Sequence, residues 1–353
     1  MRLHIVKNIV LLLCLALLFT GCGQDAGPIA ADQAAATPAE TPAAATPAPT
    51  PKPSRQINTE IESAAVADNM LEEPSSIEVR VYLPPSYFDD TEKRYPVVYF
   101  LHGYSGHPGT MTVPGVMDRL MGESGNEFII VEPSGHNSLG GSFYVNSPVT
   151  GRWEDFITDE VIAYIDGNYR TIHERWARGM AGFSMGGYGA VNLALRHPDI
   201  YGCMLAYSPG LLVNDSLQSA FALWDPGFER AYGAAFSPDL VGESPYAGIP
   251  QFDGTDGDTQ MIENWLGGFG NIDERIDAYL ALGEPLNAIK IVVGTRDSYP
   301  WIPEGCMAFK TRMEALGVPL SYQEHDGGHT VPMGTLDEDF IAFFAENLTE
   351  QQD

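Results

Sequence analysis

The stretch Ala181-Gly182-Phe183-Ser184-Met185-Gly186-Gly187 sets Ser184 between two glycines at G-x-S-x-G spacing. At a sharp turn from a strand into a helix, such a serine stands in a strained backbone conformation with its hydroxyl clear of the sheet. Side chains two residues before and after it would collide there, and Gly182 and Gly186 remove them. With 37 glycines in the chain a chance match is common, so the flanks must decide. Upstream, Ala177 to Ala181 is a small-residue run suited to a strand buried on both faces. Downstream, Tyr188 to Arg196 has helical spacing of apolar residues, and His197-Pro198 ends it. The chemistry on offer is nucleophilic attack by a hydroxyl.

That chemistry needs two more groups. A serine hydroxyl is nearly inert at neutral pH unless an imidazole accepts its proton, and a buried carboxylate fixes which imidazole nitrogen is bare. Ser184, Asp297 and His329 follow the chain order serine, acid, histidine that accompanies this kind of elbow, each at or just past the carboxyl end of an expected strand. His329 is favoured because the flexible Gly327-Gly328 would let its loop reach over the sheet edge. His325 is the rival base, closer to the strand. Glu324 and Asp326 are the rival acids, the first within the strand that carries the histidine and the second a turn residue. A metal site from His325, Asp326 and His329 would lack a further ligand cluster, so none is expected. The loop Leu101-His102-Gly103-Tyr104-Ser105-Gly106 can turn backbone N–H groups toward the serine, and with the N–H of Met185 would form an oxyanion hole. His102 reads as a packing residue that shapes this loop.

The elements that must position these groups are those of an α/β fold. Glu60 to Val66, loosely, and Ile77 to Leu83 alternate polar and apolar residues as an antiparallel pair at a sheet edge would. Tyr95 to Leu101 and Phe128 to Val131 are nearly continuous apolar runs, as expected of parallel strands covered on both faces. Trp176 to Phe183, Cys203 to Tyr207, Ala288 to Val293 and Leu320 to Tyr322 continue the series, with helical patterns such as Trp153 to Tyr169 between. Repeated β-α-β order predicts one open, mostly parallel sheet flanked by helices. At 353 residues with 44% hydrophobic content, the chain is long enough for a full core.

The amino-terminal end reads as export. Arg2 and Lys7 flank the apolar run Ile9 to Phe19, and Thr20-Gly21-Cys22 follows. Residues 1–21 are expected to be a signal peptide, too short to span a membrane comfortably. The ending resembles the lipobox of bacterial lipoproteins, with Phe19 where leucine is usual, and the resemblance implies cleavage before Cys22 and lipidation of that cysteine. Residues 22–56, rich in Ala, Thr and Pro, cannot bury enough apolar surface to fold and would form a tether. The catalytic domain is expected over 57–353, on an exported, membrane-anchored protein at the cell surface or in the periplasm. Lys+Arg 19 against Asp+Glu 47 gives a net charge of −28, which argues against nucleic acid and against a polybasic hold on anionic lipid. Cys203 and Cys306 could pair in an oxidising compartment or remain two buried thiols.

Val81-Tyr82-Leu83-Pro84-Pro85, Tyr95 to Gly103, Asn137 to Tyr144 and Gly182 to Ala190 together resemble the esterase D, feruloyl esterase and mycolyltransferase-like family of α/β-hydrolases, over about Ile57 to Asn347. The resemblance implies the α/β-hydrolase fold, Ser184 as nucleophile, Asp297 and His329 completing the triad, and the N–H groups of Tyr104 and Met185 lining the oxyanion hole. It implies hydrolysis of carboxylic esters with no metal or organic cofactor, and leaves the acyl group and alcohol open. An esterified polysaccharide is the expected substrate; an acyltransferase of the mycolyltransferase type and a non-catalytic surface binding protein are the alternatives. Between the strands carrying Tyr207 and Val293, residues 208–287 exceed what a helical crossover needs. They read as a lid whose aromatics, among them Trp224, Phe228, Trp265 and Phe269, either shape a pocket or form the lid's own core. Trp301 carries the same two readings. Oligomeric state is not set by these features.

Overall fold

A computed structural model describes residues 55–113 and 115–349. The expected signal peptide, Cys22 and the expected tether as far as residue 54 lie outside the described residues. Ten strands run in chain order: β1 (Gln56–Glu62), β2 (Ser76–Tyr82), β3 (Val97–Leu101), β4 (Ile129–Pro133), β5 (Asn146–Ser147), β6 (Gly151–Arg152), β7 (Arg178–Phe183), β8 (Cys203–Tyr207), β9 (Ala288–Gly294) and β10 (Ser321–His325). Eight form one sheet in the order β1-β2-β4-β3-β7-β8-β9-β10, while β5 and β6 make a small hairpin. The six strands from β4 to β10 are parallel, and β2 is antiparallel to both β1 and β4. The antiparallel edge pair is therefore where the alternating runs placed it.

Alternation explains the two cores. Val97, Tyr99 and Leu101 of β3 face one side, and Val98 and Phe100 the other. The first side is covered by a helix over Trp153–Asn168 and by Met185–Arg196, the second by Val116–Ser124 and the carboxyl-terminal segment ending at Asn347. In order the helices are α1 (Ala64–Ala67), α2 (Val116–Ser124), α3 (Trp153–Asp155), α4 (Ile162–Asn168), α5 (Met185–Arg196), α6 (Leu217–Phe221), α7 (Pro226–Phe236), α8 (Asp256–Phe269), α9 (Ile272–Ala281), α10 (Trp301–Ala315) and α11 (Ala342–Asn347). A π-helical stretch, Phe156–Val161, joins α3 to α4, and another, Asp337–Ile341, leads into α11.

Two of the element boundaries that differ from expectation do so for identifiable local reasons. The first strand ends at Glu62 rather than Val66, because Ser63 Oγ accepts the Val66 N–H and caps α1. Arg175–Ala177 is a 3₁₀ turn, so β7 begins only at Arg178.

Strand order places the site. From β3 the chain passes to β4 on one side and then to β7 on the other, so the carboxyl ends of β3 and β7 flank a topological switch point. The His102–Gly106 loop and the Ser184 elbow leave those two ends.

Candidate active site

Ser184 stands between β7 and α5 with φ 56° and ψ −116°. For a non-glycine residue this is strained backbone. The clearance around it is narrow: a Cβ on Gly182 would lie 2.0 Å from the Gly186 carbonyl oxygen, and one on Gly186 2.0 Å from the Leu101 oxygen. The Ser184 N–H donates to the Tyr207 carbonyl at 3.0 Å, fixing the elbow to β8, and the Ser184 carbonyl accepts the Tyr188 N–H at 2.9 Å to start the helix. The first amides of α5 have no intrahelical acceptor and present the positive end of a 12-residue helix beside the hydroxyl.

Asp297 and His329 arrive from the loops that follow β9 and β10. Ser184 Oγ donates to His329 Nε2 at 2.7 Å, and His329 Nδ1 donates to Asp297 Oδ2 at 2.8 Å. The Asp297 side chain is wholly buried. Its other oxygen accepts the Tyr299 N–H at 2.9 Å. Gly327-Gly328 is a tightly laced turn rather than a loose one. The Gly327 carbonyl accepts the Arg296 N–H at 2.9 Å, and a Cβ on Gly294 would sit 2.3 Å from the Gly328 oxygen. Glycine at 294, the last residue of β9, permits this close approach of the β9 and β10 ends, and the approach delivers the histidine to the acid.

The rivals lie elsewhere. His325 ends β10 with its Nε2 buried and unpartnered, Asp326 makes an exposed ion pair with Arg296 at 3.0 Å, and Glu324 is exposed on the strand. Among the described residues no group of three His, Cys, Asp or Glu side chains is arranged to hold a metal ion. Cys203 on β8 and Cys306 on α10 are both buried and unpaired, and burial pushes both thiols up.

A cavity of about 230 Å³ opens over Ser184 and His329. Gly103, Tyr104 and Met185 line it beside the serine. The N–H groups of Tyr104 and Met185 have no protein acceptor among the described residues. From the insertion come Leu223, Trp224, Asp225, Phe228 and Phe269, and from α10 Trp301 and Ile302. The insertion's aromatics therefore divide: Trp224, Phe228 and Phe269 reach the cavity, whereas Tyr232 and Trp265 are fully buried behind them. There the Tyr232 hydroxyl donates to the Trp265 carbonyl at 2.8 Å. Trp301 stacks on Phe269 at 5.7 Å and belongs to the wall.

Three participants escaped the sequence reading. Phe183 and Tyr299 flank the His329 ring at 4.8 and 5.0 Å and restrict its rotation. Tyr299 could have been found from the Asp-x-Tyr spacing, since the Asp297 side chain bonds the amide two residues on. Asp225 caps α7 through the Gly227 and Phe228 amides, and its Asp-Pro signature marks a helix start without revealing that the cap borders the cavity. Burial first, and then the charge of Asp225, raises the Tyr104 hydroxyl.

Fold and site together define an α/β-hydrolase with a serine, histidine and aspartate in hydrogen-bonded series. A sequence profile of the family described as "Putative esterase" matches residues 72–350, and the chain belongs to that family. It is similar to Esterase Rv1288 of Mycobacterium tuberculosis, 30% identical over 266 residues, covering 71% of this chain and 52% of the relative. It is also similar to an endo-1,4-beta-xylanase/feruloyl esterase of Xylanibacter ruminicola, 30% identical over 151 residues, covering 40% of this chain and 21% of the relative. The chain thus spans about half or less of these curated relatives. A solved ferulic acid esterase superposes with a TM-score of 0.57 at 23% identity, covering 83% of this chain and 97% of that one, a likeness of fold.

Proposed function

We propose that this chain is a serine carboxylesterase. The observation that carries the reading is the unbroken series Asp297, His329, Ser184, at 2.8 and 2.7 Å, on a strained elbow at the floor of the cavity. Ser184 Oγ bonds to the ester carbonyl carbon as its proton passes to His329 Nε2, and the carbonyl electron pair moves onto oxygen, facing the N–H groups of Tyr104 and Met185. Collapse of that intermediate breaks the bond to the alcohol oxygen, which takes the proton from His329. Water then repeats the sequence on the acyl-enzyme and releases the acid. Asp297 holds the imidazole so that Nε2 is bare toward the serine.

The aromatic lining supports an acyl group with an apolar or aryl body. The names of the relatives support ester hydrolysis and, with the xylanase-linked member, an esterified polysaccharide as source. Lipidation of Cys22 on an exported protein, with residues 22–56 as tether and ester-bearing polymer as partner, completes the proposal. The test is release of nitrophenol from nitrophenyl esters by the full chain and by Ser184→Ala. Activity absent from a folded Ser184→Ala protein supports the reading. An inactive wild type whose Ser184 also fails to take a fluorophosphonate sinks it. Feruloylated and acetylated xylans then separate the acyl classes, and palmitate labelling of wild type against Cys22→Ser tests the anchor.

A further inference from the structure

His102 directly precedes the Gly103-Tyr104 loop, yet its ring is not in the cavity and the mechanism above makes no use of it. It is nonetheless 1% exposed and fully engaged. Its Nδ1 lies 2.8 Å from the Gly103 carbonyl oxygen, and its Nε2 lies 2.9 Å from the Gly135 amide nitrogen. A carbonyl can only accept and an N–H can only donate. The two contacts together therefore admit one form of the ring: neutral, with the proton on Nδ1.

The Gly103 carbonyl shares a peptide plane with the Tyr104 N–H. That peptide is trans, since the chain's cis bond among the described residues is Ser244-Pro245. In a trans peptide the C=O and N–H point in opposite directions, and the plane turns as a unit. Whatever holds the Gly103 oxygen therefore aims the Tyr104 hydrogen. Two donors hold that oxygen, His102 Nδ1 and the Gly106 N–H at 2.9 Å. The same imidazole, through Nε2, ties this loop to the 135–144 segment. That segment closes back on the cavity side: the Tyr104 hydroxyl donates to the Leu139 carbonyl at 2.7 Å, the Ser105 N–H to the Gly140 carbonyl at 2.8 Å, and the Tyr144 hydroxyl to the His102 carbonyl at 3.1 Å.

We propose that His102 is the positioning residue of the oxyanion hole, setting the plane of the Gly103–Tyr104 peptide so that the Tyr104 N–H is aimed at the oxygen developing on the carbon bound to Ser184. The proposal rests on the esterase reading and on Tyr104 as a donor in it. Because the amide must be in place before the intermediate forms, the effect falls on turnover and not on substrate binding. Burial keeps the ring neutral, its pKa pushed down to about 4, with His107 and His136 nearby adding to the effect.

The test compares His102→Leu with His102→Asn in the full chain on nitrophenyl acetate, with turnover counted per serine titrated by fluorophosphonate. Both variants lose the acceptor for the Gly135 N–H and are nearly equal in size. Only asparagine carries a nitrogen donor near the place of Nδ1, within reach of the Gly103 carbonyl. The Leu variant should lose roughly 10- to 100-fold in kcat with KM within about threefold, below the ~10²–10³ for deleting an oxyanion donor outright. Asn should recover most of that loss. Equal kcat in the two folded variants overturns the proposal while leaving the esterase reading intact, and an inactive wild type overturns both. Should neither variant fold, nitrogen NMR of the wild-type imidazole decides: a bare Nε2 with the proton on Nδ1 supports the proposal, and a protonated Nε2 overturns it.

Discussion

Replacing Gly186 by alanine tests the elbow's geometry most directly. The new Cβ would meet three backbone atoms: the Leu101 oxygen at 2.0 Å, the Leu101 carbonyl carbon at 2.4 Å and the His102 oxygen at 2.6 Å. None is the end of a flexible side chain, so the end of β3 must retreat from α5 by about 1 Å before contact becomes tolerable. Alanine's helix preference opposes the clash by up to about 1 kcal/mol, whereas overpacking against backbone costs about 1–3 kcal/mol or more. The clash wins, and a net destabilisation of about 2 kcal/mol is expected. The retreating strand end carries Gly103 and Tyr104, so a misplacement of ~1 Å there should also lower kcat/KM about 100-fold. Gly267, inside α8, is the control, because a Cβ there meets nothing within 4 Å. Gly267→Ala should stabilise by roughly 0.5–1 kcal/mol and leave catalysis alone. Urea unfolding and ester hydrolysis read both effects. If Gly186→Ala is as stable and as active as Gly267→Ala, the steric account of the elbow is wrong.

Three further outcomes are expected. Asp297→Asn would turn an amide donor toward His329 Nδ1 and put the proton on Nε2, so kcat should fall about 10³–10⁴-fold, and a loss under tenfold would contradict the orienting role. Lys290 of β9 and Asp339 form a nearly buried ion pair at 3.1 Å, and Asp339 also accepts from Thr335. Lys290→Met strands the carboxylate and should cost about 3 kcal/mol or more in urea unfolding, whereas a neutral result would mean that the pair is dispensable. His102 stays neutral in the fold to about pH 4, while in the unfolded chain it takes a proton below its ordinary 6.5. Its contribution is complete above 6.5, falls as pH drops toward 4 and changes no further below that, a span of about 3 kcal/mol. Subtracting the pH–stability curve of His102→Asn from that of wild type should isolate this slope, and a flat difference would refute it.

Much of the fold was legible because its signals are local. Continuous apolar runs announce strands covered on both faces, and the period-2 pattern of Ile77 to Leu83 announces the edge. The elbow, too, is a local device: glycines at 182 and 186 answer backbone atoms only a few residues away or on the adjoining strand end. Ser184, Asp297 and His329 could be named from their places at strand ends, and the structure brings the three into hydrogen-bonding distance.

Other features depend on separations that no periodicity encodes. The choice of Asp297 and His329 over Asp326 and His325 is made by the lacing of the β9 and β10 loops, where Gly294 admits the Gly327 and Gly328 carbonyls. The division of the insertion's aromatics between cavity wall and inner core depends on how α7 and α8 pack together, since Phe228 and Tyr232 are four residues apart on one helix and serve different surfaces. The work of His102 is set by Gly135, 33 residues away in sequence and brought alongside by the pairing of β3 with β4. Sequence determines which residues can do chemistry and which strand ends present them; the tertiary structure decides their partners, because a hydrogen bond is fixed by distance and direction between segments whose approach depends on the whole packed sheet.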